Sequence, residues 1–181
     1  MKLSAHFSLS EFIASDTAVR MGIDNTPDDG EITELFKLAE VMELVRAELN
    51  SVVPETRINV TSGYRCEKLE RVLTKKDYSA WCVRRKVKQT PETWDVYFKR
   101  KAHPKGHGCD FGAPVFGDPL SIVRLIANRP HIMQRIDQII VEGVTKDSYG
   151  WVHIGISDEP RHMVMTAEFK DGTPTYTQGV A

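Results

Sequence analysis

The chain has little that would mark it for a bilayer, a disulfide scaffold or a polyanion. No apolar run approaches the roughly 20 residues that a membrane-spanning helix needs. The opening Met1-Lys2-Leu3-Ser4-Ala5-His6 lacks the apolar core of a secretory signal, so no self-directed export is expected. Three cysteines, Cys66, Cys82 and Cys109, stand at irregular spacing without a C-x-x-C, which fits a reducing compartment. Neither sign of charge dominates: 24 Lys+Arg against 25 Asp+Glu gives a net charge of −1, which disfavours a globally basic nucleic-acid binder. Internal repeats and low-complexity stretches are absent. What is present is 181 residues, 41% hydrophobic and 27% charged, enough for one compact domain with a sizeable core.

Helical signals come early and strand signals late. Ser8 and Glu11 have capping-box spacing for a short helix over 8–15. A turn-rich stretch over 22–30 precedes a long helix over about 31–49, where Leu35, Leu38, Met42, Val45 and Leu49 recur at three- and four-residue steps. Residues 57–62 alternate like a half-buried strand, a helix is expected from Glu67 to Leu73, and Asp118-Pro119 opens another that runs to about Asn128. Ile136–Glu142 and Trp151–Ile156 read as strands of a long-looped hairpin, with two edge strands around Asp171-Gly172. That order points to an α+β domain whose small sheet is mainly antiparallel, with helices packed against it.

One segment differs in composition. Residues 71–101 hold ten Lys/Arg against three acids, a local charge of +7 that leaves −8 for the rest of the chain. Tyr78, Trp81, Trp94, Tyr97 and Phe98 are interleaved with that charge. The segment reads as a basic, aromatic-containing surface insertion in a single domain spanning 1–181, because so short a piece is not expected to build its own core.

The densest set of chemistry-bearing residues is Lys101-Ala102-His103-Pro104-Lys105-Gly106-His107-Gly108-Cys109-Asp110. His103 and His107 are four apart, but the proline and glycines argue against a helix, and no glutamate follows His103, so an H-E-x-x-H site is excluded. A tight loop-to-strand turn would let His103 and Asp110 reach one metal, with a third ligand from elsewhere. His153, in the middle of a strand, is the candidate. Surface turn histidines and a core strand histidine are the alternative on the residues alone.

The ordered blocks Phe7-Ser8-Leu9-Ser10-Glu11-Phe12, Ser15-Asp16-Thr17-Ala18, Gly22-Ile23-Asp24-Asn25-Thr26-Pro27, Ser62-Gly63-Tyr64-Arg65, the His103-to-Asp110 turn and Trp151-Val152-His153-Ile154 carry a resemblance. Together they resemble the zinc D-Ala-D-Ala carboxypeptidase and L-alanyl-D-glutamate endopeptidase superfamily, in particular its small phage-encoded cell-wall peptidases. The resemblance covers most of 3–70 and 102–165. It implies Zn2+ bound by His103, Asp110 and His153, on an antiparallel sheet of an α+β fold. It implies that Arg65 stabilises substrate carbonyl or carboxylate charge. The family's general base is a glutamate near the third ligand; three residues before His153, where several relatives have it, this chain has Gly150. Glu142 is the nearest available carboxylate: if it pairs opposite Trp151, strand alternation sets it on the face of His153. A one-residue slip would undo that, and Asp147 in the connecting loop is the fallback.

The implied activity is metal-assisted hydrolysis of peptide bonds in peptidoglycan stem peptides or crosslinks. A phage or prophage origin is implied with it, with the protein held in the host cytoplasm until lysis or carried in the virion. The alternative within the same fold is an inactive wall-binding or virion structural module. Nucleic-acid binding through residues 71–101 is the third reading, disfavoured because a solvated charged face explains the same residues. Two departures from the family pattern stand out: Lys101 replaces a serine common two residues before the first ligand, and the basic segment separates the arginine block from His103. His107 is additional, either a substrate contact or a turn residue. Cys109, Cys66 and Cys82 read as structural, and Arg161 matches a frequent family arginine whose role the sequence does not give.

Overall fold

The computed structural model describes residues 1–180. Two short helices, α1 (Leu9–Ile13) and α2 (Asp16–Met21), lead into the long α3 (Asp29–Val52). The Asp28 side chain caps α3 by accepting from the Glu31 N–H, and Glu31 returns the bond to the Asp28 N–H. Leu35, Leu38, Met42, Val45 and Leu49 are fully buried, as their spacing predicts. Each contributes about 1.5–3 kcal/mol of transfer free energy. Helix α2 was not anticipated, although its limits are written in Ser15, which caps it, and Gly22, which ends it at φ +60°.

Strand β1 (Asn59–Ser62) is followed by α4 (Glu67–Leu73), α5 (Lys75–Arg85) and α6 (Pro91–Phe98). A single 3-10 turn (His103–Lys105) then enters β2 (Gly108–Gly112). Helices α7 (Pro119–Ala127) and α8 (Pro130–Met133) precede β3 (Gln138–Glu142), β4 (Trp151–Gly155), β5 (Met163–Lys170) and β6 (Thr173–Gln178).

The sheet departs from the small antiparallel one expected. It has six strands in the order β1-β2-β4-β3-β5-β6, and β3 pairs with β5 in parallel. Antiparallel pairing along a hairpin accounts for β3–β4 and β5–β6. The parallel pair arises because the chain leaving β4 steps over β3 and is tied beside the start of that strand. Arg161 grips Asp137 through both carboxylate oxygens, and the Met163 N–H donates to the Asp137 carbonyl.

One face of the sheet, with Cys109, Phe111, Ile139, Val141, Val152 and Ile154, is buried in the main core with α3 and α7. The other face carries Ser62, Asp110, His153 and Ile140 in one row across β1, β2, β4 and β3. The functional candidates lie on this second face.

Residues 71–101 do form a small core of their own, contrary to the expectation. Tyr78, Trp81, Cys82, Trp94 and Tyr97 are buried against one another, with Phe98 packed beside them. Their large rings bury enough area per residue to order a two-helix segment. Of its ten basic side chains all but Lys101 are exposed, and α5 rests against β6. Among the described residues no helix is long and apolar enough to cross a membrane.

Candidate metal centre

His103, Asp110 and His153 come together as the sequence suggests. Each is buried, and one potential ligand atom from each lies within 4.8 Å of the others. Asp110 and His153 are direct cross-strand partners in β2 and β4. His103 arrives from the 3-10 turn, which Gly106 closes at φ +71°. A side chain at Gly108 would meet the Ala102 Cβ at 2.9 Å and the His153 Cε1 at 3.2 Å. Glycine there lets turn and strand converge on one point.

The rings are oriented by their outer contacts. His103 Nδ1 lies 2.7 Å from the Gly63 carbonyl, which can only accept, so Nδ1 bears the proton and Nε2 faces Asp110 Oδ1 at 3.3 Å. His153 Nδ1 lies 2.8 Å from the same Oδ1. Burial, then the charge of Arg65, pushes His103 below the ordinary imidazole range. Burial also pulls His153 down, but the hydrogen bond and charge of Asp110 outweigh it and leave His153 raised. Burial opposes ionisation of Asp110, yet the two histidines hold its carboxyl well below the usual carboxylate range. Two buried imidazoles and a buried carboxylate converging on one point form a donor set that suits zinc.

Arg65 closes the outer side of Asp110. Its Nη2 donates to Asp110 Oδ2 at 2.7 Å, its Nε to Ser62 Oγ at 2.9 Å, and its Nη1 reaches Glu70 Oε2 at 3.5 Å. These bonds use three of the five guanidinium N–H donors. Glu70, almost wholly buried on α4, was not singled out by sequence; its position one turn into the helix that follows Arg65 is the only signal. Gly63 makes the block compact, since a Cβ there would come within 2.7 Å of the Phe12 Cα.

Glu142 pairs opposite Trp151, the register that sets it on the face of His153. The Trp151 Nε1–H donates to Glu142 Oε2 at 3.0 Å. Burial pushes the Glu142 carboxyl above its ordinary value, and the nearby positive charge of His153 offsets this only in part. Asp147 lies in the exposed loop over 143–150, where its N–H meets Thr145 Oγ1.

The remaining candidates have structural partners. His107 points away from His103 and meets Glu34 Oε2 on α3 at 3.0 Å. Lys101 donates to Asp77 Oδ2 at 2.9 Å and lies over the Tyr97 ring, so it fastens the inserted helices. Cys109 is buried with its thiol 3.7 Å from the Met42 sulfur, and burial pushes that thiol up. Cys82 lies inside the aromatic cluster, and Cys66 precedes α4. Arg161 and its partner Asp137 sit behind Gln138, whose amide nitrogen is 3.2 Å from His153 Nε2.

No curated protein matches the chain. The model of the family described as Peptidase M15 matches residues 5–77. The match takes in Arg65, ends inside α5 and stops short of all three candidate ligands, which come from the 3-10 turn and the sheet. The match covers less than half of the chain, and over those residues the chain is similar to that family.

Proposed function

We propose that residues 1–181 form a single zinc peptidase domain that hydrolyses peptide bonds of bacterial peptidoglycan, with 71–101 as an insertion beside the cleft. The observation that carries the reading is the convergence of buried His103, Asp110 and His153 on the sheet face that also presents Glu142 and Arg65. Zinc held by the three ligands would supply a Lewis acid that polarises the scissile carbonyl and acidifies water.

The chain's own groups do the rest. Trp151 fixes Glu142 by its Oε2, and Glu142 Oε1 takes the proton of the attacking water and passes it to the leaving amine. Burial, by raising the proton affinity of Glu142, suits it to that transfer. Arg65 holds the outer oxygen of Asp110, and its uncommitted N–H donors face the charge that develops on the carbonyl oxygen. Helix α5 of the basic insertion rests against the edge strand β6.

The resemblance of the ordered sequence blocks extends the proposal to a phage or prophage origin, with release at lysis or carriage in the virion. Digestion of purified peptidoglycan by the zinc-loaded protein, with mass spectrometry of the new ends, tests it. New D-Ala termini or split L-Ala-D-Glu bonds are the expected result and distinguish carboxypeptidase from endopeptidase action. A zinc-loaded protein that binds walls and releases no peptide would instead establish the inactive wall-binding module.

A further inference from the structure

His103 and His153 are held differently. The Gly63 carbonyl fixes the proton of His103 on Nδ1 and leaves Nε2 for a ligand bond. Among the described residues no carbonyl does the same for His153: its outer nitrogen, Nε2, faces the side-chain amide of Gln138 at 3.2 Å. We propose that Gln138 is the positioning residue that selects the tautomer of His153, and that its amide turns over when metal enters. The inference rests on the metal-site reading above and extends it to the layer behind the ligands.

As placed, and with the ring neutral, the amide nitrogen of Gln138 donates to His153 Nε2, so the single ring proton sits on Nδ1 and bonds Asp110 Oδ1 at 2.8 Å. That arrangement is self-consistent without a cation, but the nitrogen aimed at Asp110 then has no lone pair to give. To offer Nδ1 as a ligand, the ring must carry its proton on Nε2, and that proton needs an acceptor. A half-turn of the Gln138 amide brings Oε1 to the same place, because the amide has a donor and an acceptor of nearly equal size.

Two features keep the cost of this turn low, and one contact is given up. Gln138 stands directly opposite Gly155 in the β3–β4 pair. A Cβ at Gly155 would lie 3.1 Å from Gln138 Cγ and 3.7 Å from His153 Nε2, so glycine keeps the space over which the amide leans. The turn gives up the long 3.4 Å bond from Arg161 Nη2 to Oε1 and would set the amide nitrogen against a second donor, so the half-exposed guanidinium must lean away from Gln138. Arg161 meanwhile keeps its two bonds to the Asp137 carboxylate whichever way the amide points.

The test uses the full chain with and without zinc. Nitrogen-15 NMR of the His153 ring should show the proton on Nδ1 in the apo protein and on Nε2 in the zinc form. Chelator competition should show zinc binding weakened about 10–100-fold in Gln138→Leu, the usual effect of losing an outer partner of a ligand histidine. Gln138→Glu, which presents an acceptor in either orientation, should recover affinity to within a few-fold. Circular dichroism of the apo variants checks folding, and the tautomer measurement on unmodified protein stands even if Gln138→Leu does not fold. An unchanged zinc Kd in folded Gln138→Leu, or His153 retaining its Nδ1 proton in the zinc form, overturns the inference alone. Failure of the unmodified protein to take zinc overturns the metal-site reading and the inference with it.

Discussion

The carbonyl oxygen of Glu142 fills the space that a side chain on Gly150 would need. Gly150 has φ +69°, and a Cβ there would also lie 2.8 Å from the Val144 nitrogen. The position three residues before His153 is therefore closed to a carboxylate by the hairpin itself, and the carboxylate on this face comes from the strand opposite. Gly150→Ala should cost more than about 1 kcal/mol, since it combines a left-handed backbone with a backbone clash. A lowered thermal midpoint is the expected result, and an unchanged one would mean the loop relaxes freely.

Trp151 acts on Glu142 through one hydrogen bond. Trp151→Phe keeps a smaller aromatic ring and removes the donor, and a hydrogen bond to a charged group contributes about 1.5–3 kcal/mol. Turnover on peptidoglycan peptides should fall by about tenfold or more while KM changes little. A KM effect without a kcat effect would make Trp151 a substrate contact instead.

Glu142→Gln should abolish hydrolysis and leave zinc binding nearly unchanged. The amide keeps the size of the side chain but cannot take the proton, and general-base assistance contributes about 10²–10⁴-fold. Asp147→Asn should be close to wild type, because Asp147 lies in the exposed loop. The reverse pattern in a muralytic assay would make the loop aspartate the base.

Much of the site was legible because its parts are local or periodic. The glycines around His103, the strand parity of Glu142 and His153, and the capped long helix each follow from short-range rules. Glu70 and Gln138 were not legible, because each matters only through a partner that the folded backbone brings to it. Glu70 meets Arg65 only after the turn at Gly63-Tyr64 is made, and Gln138 meets His153 only once Gly155 lies opposite. The parallel β3–β5 pair was missed for the same reason: Asp137 and Arg161, 24 residues apart, set it. The aromatic core of the insertion was hidden by the charge in which it is embedded, since neither helix shows a clean apolar stripe.

Asp77 ties that insertion together, accepting from Tyr97 and Lys101 and lying 3.8 Å from Arg84. Burial pushes its carboxyl up, but the Lys101 charge and the Tyr97 hydroxyl outweigh it and hold the carboxyl below the usual range. A depressed folded-state pKa gives stability that is present above the unfolded value, 3.8, and lost as the pH falls through the folded one. Asp77→Asn should therefore destabilise at pH 7 by about 1–3 kcal/mol. The gap from wild type should narrow as the pH falls below about 4, the ordinary carboxylate range. Urea melts followed by tryptophan fluorescence at neutral and acid pH check this, and equal stability at pH 7 would contradict it.

The claim on which the rest depends is that His103, Asp110 and His153 hold one zinc. Elemental analysis of the purified chain beside His103→Ala and His153→Ala measures it most directly. Close to one zinc per unmodified chain is expected, with loss of most of it in both variants and the fold retained. Full zinc occupancy in both variants would contradict it.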